Sequence, residues 1–340
     1  MRYFESLNAA LHQLMREDER VYVMGEDILD PYGGAFKVTK GLSESFPGRT
    51  LTTPVSEAAI TGIAIGMAMR GLKPVLEIMF GDFVTLIADQ LVNSAVKFNW
   101  MYNHQVSVPL VIRVPMGGRR GYGPTHSQTL ESMFMGVPGL KIIAPSHYHN
   151  PGDLLKYAVS KNNQPLMFIE NKRLYPQKLV TVDSVGKAGD FYIKQLANGE
   201  NGYPTISLSL MKNEPPQVTL ITYGGMAPFA IEAAMEVFMN EEILVEILLP
   251  SALKPLPVKD ILPSVRTTGK VVVAEEGVKT SGWGAELASV LNKNAFNQLK
   301  CPVERVGAKE FPIPSSMPLE KEILPGAEDI VEAITLLMGD

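Results

Sequence analysis

A chain of 340 residues with 46% hydrophobic and 20% charged residues has material for one large or two smaller buried cores. Its formal charge of −5 and its lack of any basic run exclude the lysine- and arginine-rich stripe that nucleic-acid phosphates require, the densest basic spot being Arg119-Arg120. A single cysteine, Cys301, excludes an intrachain disulfide and fits a reducing compartment, and no stretch reaches the roughly 18 unbroken apolar residues of a membrane-spanning helix.

The N-terminal tract MRYFESLNAALHQLMREDER carries acids throughout and reads as an amphipathic helix leading into a strand. That is the pattern of neither a signal nor a transit peptide, so a cytoplasmic location is expected. Short apolar runs bounded by Gly, Pro and Asn then alternate with longer periodic segments, the signature of βαβ units. Strands are predicted at 20–25, 74–80, 109–114, 141–145 and 165–170, and helices at 57–70, 83–100 and 151–160. From about 176 to 216 the pattern gives way to Gly, Asn, Lys and Pro, which reads as a linker with a possible hairpin. Alternation resumes at Gln217: strand VTLITYGG, a helix over 228–238, strands LVEILLP and KVVVAEE, a helix over 283–299, strand CPVERVG, and a last helix from Ala327. The predicted fold is α/β with two domains, 1–176 and 217–340, each a mostly parallel sheet flanked by helices and joined by the linker 177–216.

The stretch TPVSEAAITGIAIGMAMRGLKPVLEIMFGDF, Thr53 to Phe83, carries the most chemical information. Pro54 and Ser56 are helix-start signals, and Ala58, Ala59, Gly62, Ala64, Gly66 and Ala68 leave the helix thin enough for another backbone to approach. One carboxylate, Glu57, stands at the mouth of this otherwise uncharged helix. A helix N-terminus favours carboxylate charge and apolar surroundings oppose it, so an acid held there can share a proton with a ligand nitrogen. Phe83 follows Gly81-Asp82 at a strand's carboxyl end, where open α/β sheets bind ligands, and an aromatic ring there can stack on a flat heterocycle. The loop PMGGRRGYGPTHSQ, 115–128, follows a predicted strand and presents His126 at the same edge, without the spacing and lysine of a nucleotide phosphate loop. Each of these residues also has an ordinary reading: a first-turn acid, a core aromatic, a loop bystander. His12, His104, His147 and His149 lack the acid-partnered spacing of a transition-metal site.

Taken together, these segments resemble the β subunits of thiamine diphosphate-dependent 2-oxo acid dehydrogenases, the pyruvate, branched-chain and acetoin dehydrogenase β chains. VMGEDILDPYGGAFKVTKGL, the Thr53–Phe83 stretch, DQLVNSAVK, THSQTLESMFMGVPGLKIIAPS, PLMFIENKRLY, VTLITYGG and GWGAEL occur in the family's order along nearly the whole chain. The resemblance implies a transketolase-like pyrimidine-binding domain and a transketolase C-terminal-type domain, in an α2β2 assembly with cofactor sites between subunits. It implies that Glu57 hydrogen-bonds the aminopyrimidine ring nitrogen of thiamine diphosphate, that Phe83 lines the ring, that Val55 supplies a neighbouring backbone contact, and that His126 steers substrate or lipoyl intermediates. The implied reaction is oxidative decarboxylation of a small 2-oxo acid, with transfer of the acyl group to a lipoyl-bearing acyltransferase core.

The resemblance further implies a potassium ion at positions matching Leu110, Ala158, Val159, Lys161 and Asn163, with Lys161 standing where family members often have an acid. In the family the diphosphate and Mg2+ are held by the α chain through a Gly-Asp-Gly sequence. This chain has none, so an obligate α partner is expected. The loop RRGYGPTHSQ departs from the family pattern; Arg119 and Arg120 meet a substrate carboxylate or are solvated, and the second is expected. Two other readings stay open. The same site would serve the C-terminal half of a split transketolase-like carboligase that passes a ketol or acyl unit to an aldehyde. A non-catalytic assembly subunit would have no need of Glu57, Phe83 and His126 together.

Overall fold

The computed structural model describes residues 1–182, 186–196 and 202–339. The chain divides into one unit of Met1–Gly117, Thr125–Ile143 and Asn150–Leu179, and a second of Gly118–Pro124, Ala144–His149 and Val180–Asp340.

In the first unit, helix α1 (Tyr3–Glu17) opens with the Arg2 backbone N–H donating to the Glu5 carboxylate at 2.7 Å and buries Leu7, Leu11, Leu14 and Met15 along one face. The apolar runs become strands β1 (Val21–Gly25), β2 (Thr50–Thr52), β3 (Lys73–Glu77), β4 (Val111–Met116), β5 (Lys141–Ile143) and β6 (Leu166–Asn171), connected through helices α2 (Leu42–Ser45), α3 (Glu57–Met69), α4 (Phe98–Met101), α5 (Ser132–Met135) and α6 (Pro151–Lys161). All pairings among these strands are parallel, in the order β5-β6-β4-β3-β1-β2. Every residue of β4 and β6 is buried, as central parallel strands covered on both faces require. From β1 the chain goes out to β2 and returns past β1 to β3. The connections therefore diverge at β1, the kind of switch point at which open α/β sheets bind ligands beyond the carboxyl ends of their strands. Helix α6 starts with Asn150 accepting from the Asp153 backbone N–H and Pro151 at its first position.

The predicted helix 83–100 is broken into a 3-10 turn, Gly81–Ile87, a π turn, Gln90–Ala95, and α4. The Thr85 hydroxyl donates to the Asp82 carbonyl at 3.0 Å, Asn93 donates to the Asp89 carboxylate at 2.7 Å, and Lys97 donates to the Asn93 side chain at 2.8 Å. The Thr85 hydroxyl takes a carbonyl that the helical ladder would use, whereas the other two are side-chain pairs one turn apart, and π turns recur at functional sites.

The second unit holds β7 (Lys187–Ala188), β8 (Phe191–Gln195), β9 (Thr205–Ser209), β10 (Val218–Thr222), β11 (Val245–Pro250), β12 (Ala252–Lys254), β13 (Val271–Val278) and β14 (Glu304–Ala308). Its sheet runs β14-β13-β10-β11-β9-β8-β7, parallel among β14, β13, β10 and β11 and antiparallel from β11 to β7. The tract read as a linker, 177–216, thus contributes β7, β8 and β9 to a sheet. Helices α7 (Ala227–Glu241), α8 (Val258–Thr268), α9 (Trp283–Ala295), α10 (Met317–Ile323) and α11 (Ala327–Gly339) complete the unit. Ala230, Ala233 and Val237 of α7 and Ile330, Ile334 and Leu337 of α11 bury their apolar faces with Val218, Leu220, Ile247 and Leu249. No helix among the described residues is long and apolar enough to cross a membrane.

Candidate active site

Parallel strands bring their carboxyl ends to one edge, and in the first unit five connections deliver side chains there. β1 is followed by Glu26, β2 leads through Thr53–Ser56 to Glu57, β3 is followed by Phe80–Phe83, the chain after β4 returns to this unit with His126, and β6 is followed by Lys172. Gly81 makes the approach possible: a Cβ there would stand 2.6 Å from Met116 Cγ and 3.2 Å from the Gln128 carbonyl oxygen.

Glu57 is the first residue of α3 and is buried, at 6% exposure, whereas Val55 two residues earlier is 81% exposed. The chain therefore turns Val55 outward and the acid inward. Glu26 is equally buried, and its Oε1 atom has no hydrogen-bond partner among the described residues. Burial first, and then the negative charge of Glu57, push the Glu26 carboxyl up from its ordinary value, against the Ser56 backbone N–H that holds it down. Two neighbouring acids with an unsatisfied oxygen between α3 and β1 suit a ligand group that carries a proton on nitrogen. α3 also packs on the Gly81–Ile87 turn that bears Phe83.

His126 sits in an aromatic cradle. Its ring meets Phe80 at 4.7 Å and Phe83 at 5.3 Å, both edge-on, and Phe80 meets Phe83 at 5.9 Å. The Thr125 hydroxyl lies 2.9 Å from His126 Nδ1. Lys172 donates from Nζ to the His126 carbonyl, and Gln128 donates to the Asp82 carboxylate at 2.7 Å. Phe83 and His126, far apart in sequence, are thus brought together.

Beneath this edge lies a fully buried ionic cluster. Arg113 forks onto Glu170 with bonds of 2.6 and 2.7 Å and reaches Glu77 at 2.5 Å, while the Tyr175 hydroxyl donates to Glu170 at 2.7 Å. Parallel register sets Glu77 beside Arg113, and β6 brings Glu170 alongside. Burial pushes the Glu77 carboxyl up while the Arg113 charge opposes it. The Tyr175 ring stacks on Phe36 at 4.7 Å, and Phe36 meets Phe80 at 6.0 Å, so the cluster supports the aromatic floor under His126.

The rest of the glycine-rich loop is employed elsewhere. Gly118–Pro124 belongs to the second unit, where Glu276 accepts from Gly118 N–H at 2.6 Å and Glu320 accepts from the N–H groups of Arg119 at 2.5 Å and Gly121 at 3.1 Å. The Arg119 guanidinium donates to the Pro325 carbonyl and lies 4.3 Å from the Phe229 ring centroid. Solvation was expected of Arg119; it is instead half-buried, and burial lowers its pKa.

The positions expected to hold potassium lie at the end of α6. Leu110, Ala158 and Val159 are buried, while Lys161 and Asn163 are exposed. The Leu110 and Ala158 carbonyls accept from Leu166 and Asn162 N–H, and Lys141 donates to the Asn162 side chain at 2.8 Å. With an ammonium at Lys141 and no carboxylate among these positions, a cation here would be held by uncharged oxygens, main-chain carbonyls above all, a donor set that suits a monovalent ion. Among the described residues no cluster of His, Cys, Asp and Glu could hold a metal ion.

Residues 1–178 match the model of the transketolase pyrimidine-binding domain, and residues 209–330 match that of the transketolase C-terminal domain. The chain is 37% identical over 330 residues to pyruvate dehydrogenase E1 component subunit beta-1, mitochondrial, of Arabidopsis thaliana, covering 97% of this chain and 87% of the relative. It is 34% identical over 331 residues to pyruvate dehydrogenase E1 component subunit beta of Rickettsia felis, covering 97% and 96%. The chain belongs to the family of pyruvate dehydrogenase E1 beta subunits. A split-gene transketolase, solved as an inactive beta4 tetramer, shares the fold at a TM-score of 0.72 and 21% identity, covering 98% of this chain and 97% of that one.

In this E1 beta-type chain, sequence reasoning singled out Glu57, Phe83 and His126 but missed Glu26, Phe80 and Lys172. The signal for Glu26 was an acid directly after a predicted strand, in VMGED. Phe80 and Lys172 were inside quoted segments, but their roles follow from contacts with His126, 46 residues away in each case.

Proposed function

We propose that this chain is the β subunit of a thiamine diphosphate-dependent 2-oxo acid dehydrogenase, working in an α2β2 assembly with an α-type chain and passing its acyl product to a lipoyl-bearing acyltransferase core. The observation that carries the reading is the buried Glu57–Glu26 pair with its unsatisfied oxygen at the sheet's carboxyl edge. It fits the protonatable aminopyrimidine of the cofactor, with Phe83 as the flat wall beside the ring and the backbone of the exposed residue Val55 as a further contact. Within this proposal 1–176 is the pyrimidine-binding domain and 217–340 the C-terminal domain.

The cofactor, when bound, supplies the electron sink for decarboxylation. The chain's own residues do the rest. Glu57 accepts a hydrogen bond from the pyrimidine ring and fixes which nitrogen carries the proton. Glu26, whose affinity for a proton is raised by burial and then by the charge of Glu57, stands beside Glu57 with an oxygen still unsatisfied, open to a hydrogen bond from the ligand. Phe80, Phe83 and His126 exclude water on one side, and His126 offers a ring nitrogen to the substrate or the incoming lipoyl group. The diphosphate and Mg2+ are assigned to the α-type chain, in which a Gly-Asp-Gly sequence is expected, and the assembly to the cytoplasm. No step uses potassium.

Relatives at 34–37% identity carry the E1 beta name, which favours a lipoyl acceptor over the aldehyde acceptor of a split transketolase-like carboligase. The test is Glu57→Gln in the complex reconstituted with the α-type chain, thiamine diphosphate and Mg2+, with pyruvate and branched-chain 2-oxo acids as substrates. Loss of lipoyl acylation with the fold retained is expected. Full-rate decarboxylation by the variant would overturn the role of Glu57.

A further inference from the structure

We propose that Lys172 is a positioning residue for His126, holding the histidine's main chain and ring in register with the aromatic wall. The proposal rests on the reading of His126 given above. Lys172 follows β6, and its backbone N–H donates to the Met116 carbonyl at 2.9 Å, so the ladder between β4 and β6 extends one residue past the sheet and fixes where the side chain starts. The side chain is fully buried. A lysine is almost never wholly buried without a partner, because taking an ammonium out of water is expensive, so the groups it meets reveal what it serves.

Its Nζ donates to the carbonyl of His126, and it also lies 5.1 Å from the Phe80 ring centroid, within cation–π range. Phe80 in turn contacts the His126 ring edge-on at 4.7 Å. One ammonium therefore restrains the histidine at two points, its main chain directly and its imidazole through Phe80. Other ties on this short segment include the bonds of the Gln128 side chain and backbone N–H to Asp82 at 2.7 and 3.4 Å, the Gly117 N–H to the Gln128 carbonyl at 3.4 Å, the 2.9 Å approach of the Thr125 hydroxyl to the ring and the Phe83 ring at 5.3 Å. None of these touches the carbonyl that Lys172 holds. A misplacement of about 1 Å in a reacting group can cost on the order of a hundredfold in rate, so a clamp on the backbone of His126 has a catalytic consequence although it reacts with nothing itself.

The test is a double-mutant cycle in the reconstituted complex with thiamine diphosphate and Mg2+: wild type, Lys172→Met, His126→Ala and the double variant, each measured for kcat and KM of pyruvate-dependent lipoyl acylation. Methionine matches the lysine stem and removes the donor and the charge. Lys172→Met is expected to lower kcat at least about tenfold, with KM changed less than about threefold, and to add less than about twofold when His126 is already alanine. Lys172→Gln keeps an N–H donor and is expected to retain more kcat than Lys172→Met; the same cycle runs on it if the methionine variant does not assemble. Wild-type kcat in Lys172→Met beside an impaired His126→Ala would overturn the proposal alone. So would equal fold-losses in both backgrounds, which would show that Lys172 acts independently of His126. A fully active His126→Ala would overturn the reading of His126 itself, a result that does not depend on Lys172.

Discussion

Replacing Arg113 with methionine takes the cation out of a site where two carboxylates converge. Arg113 makes three charge-assisted bonds of 2.5 to 2.7 Å, two to Glu170 and one to Glu77, and no side chain in the trio is more than 5% exposed. Breaking a buried ion pair by removing one partner costs about 3–5 kcal/mol, and here two acids are stranded, which puts the loss toward the upper end. For a unit of this size each kcal/mol lowers the melting temperature by roughly 2–4 °C, so a drop of about 10–20 °C is expected. Urea unfolding of the intact chain, followed by far-ultraviolet circular dichroism, measures the free energy, and scanning calorimetry measures the temperature.

The pH dependence gives the loss a signature. Burial already makes Glu77 bind its proton more tightly in the folded chain than in the unfolded one, with Arg113 opposing. Its contribution to stability is therefore full below the ordinary value of 4.5 and is lost as pH rises through the raised folded value. Without Arg113 that rise is larger, so the deficit of Arg113→Met should be greatest at pH 7 to 8 and shrink toward pH 5. Glu77→Gln in the same background should recover part of it. A loss below about 1 kcal/mol, or a deficit independent of pH, would show that the cluster is not held together by charge.

Other consequences are as direct. Burial holds His149 down to about 4 against an ordinary 6.5, so its share of stability is fully present above 6.5 and lost as pH falls through 4. That share is about 3 kcal/mol, and unfolding midpoints between pH 7.5 and 4.5 should fall less steeply in His149→Asn. Gly152→Ala would set a Cβ 2.3 Å from the Ser6 carbonyl oxygen, forcing α6 off α1; a loss of about 1–3 kcal/mol in urea unfolding is expected. Glu320→Ala removes the acceptor of two loop N–H groups, and faster amide exchange at Arg119 and Gly121 should report it.

Much of this was legible in the sequence because local chemistry and tertiary demand agreed. Thr53–Phe83 reads as start signal, thin helix and buried strand, and α3 and β3 form there. Other elements were hidden by conflicting signals. α8 carries Pro263 inside it and α10 starts with Pro318 in its first turn, so proline obscured both. The strands β8 and β9 lie in a tract where Gly, Asn, Lys and Pro interrupt the apolar residues, and long-range pairing with β11 overrides that composition. At the site, Glu57 was visible because an acid alone on an apolar helix needs a reason. Arg113 was not, since a cation inside VIRVPM looks like an exposed strand position until β3 and β6 bring carboxylates to either side. Lys172 was invisible for the same reason: what gives it meaning is His126, and only the fold joins them.

The central claim is that this chain supplies the pyrimidine half of a cofactor site completed by an α-type chain. Calorimetric titration of thiamine diphosphate with Mg2+ into the chain alone, and into its mixture with the α-type chain, tests it most directly. Binding in the mixture only, abolished or strongly weakened by Glu57→Ala, is the expected result. Tight binding to the chain alone, or none in either case, would contradict it.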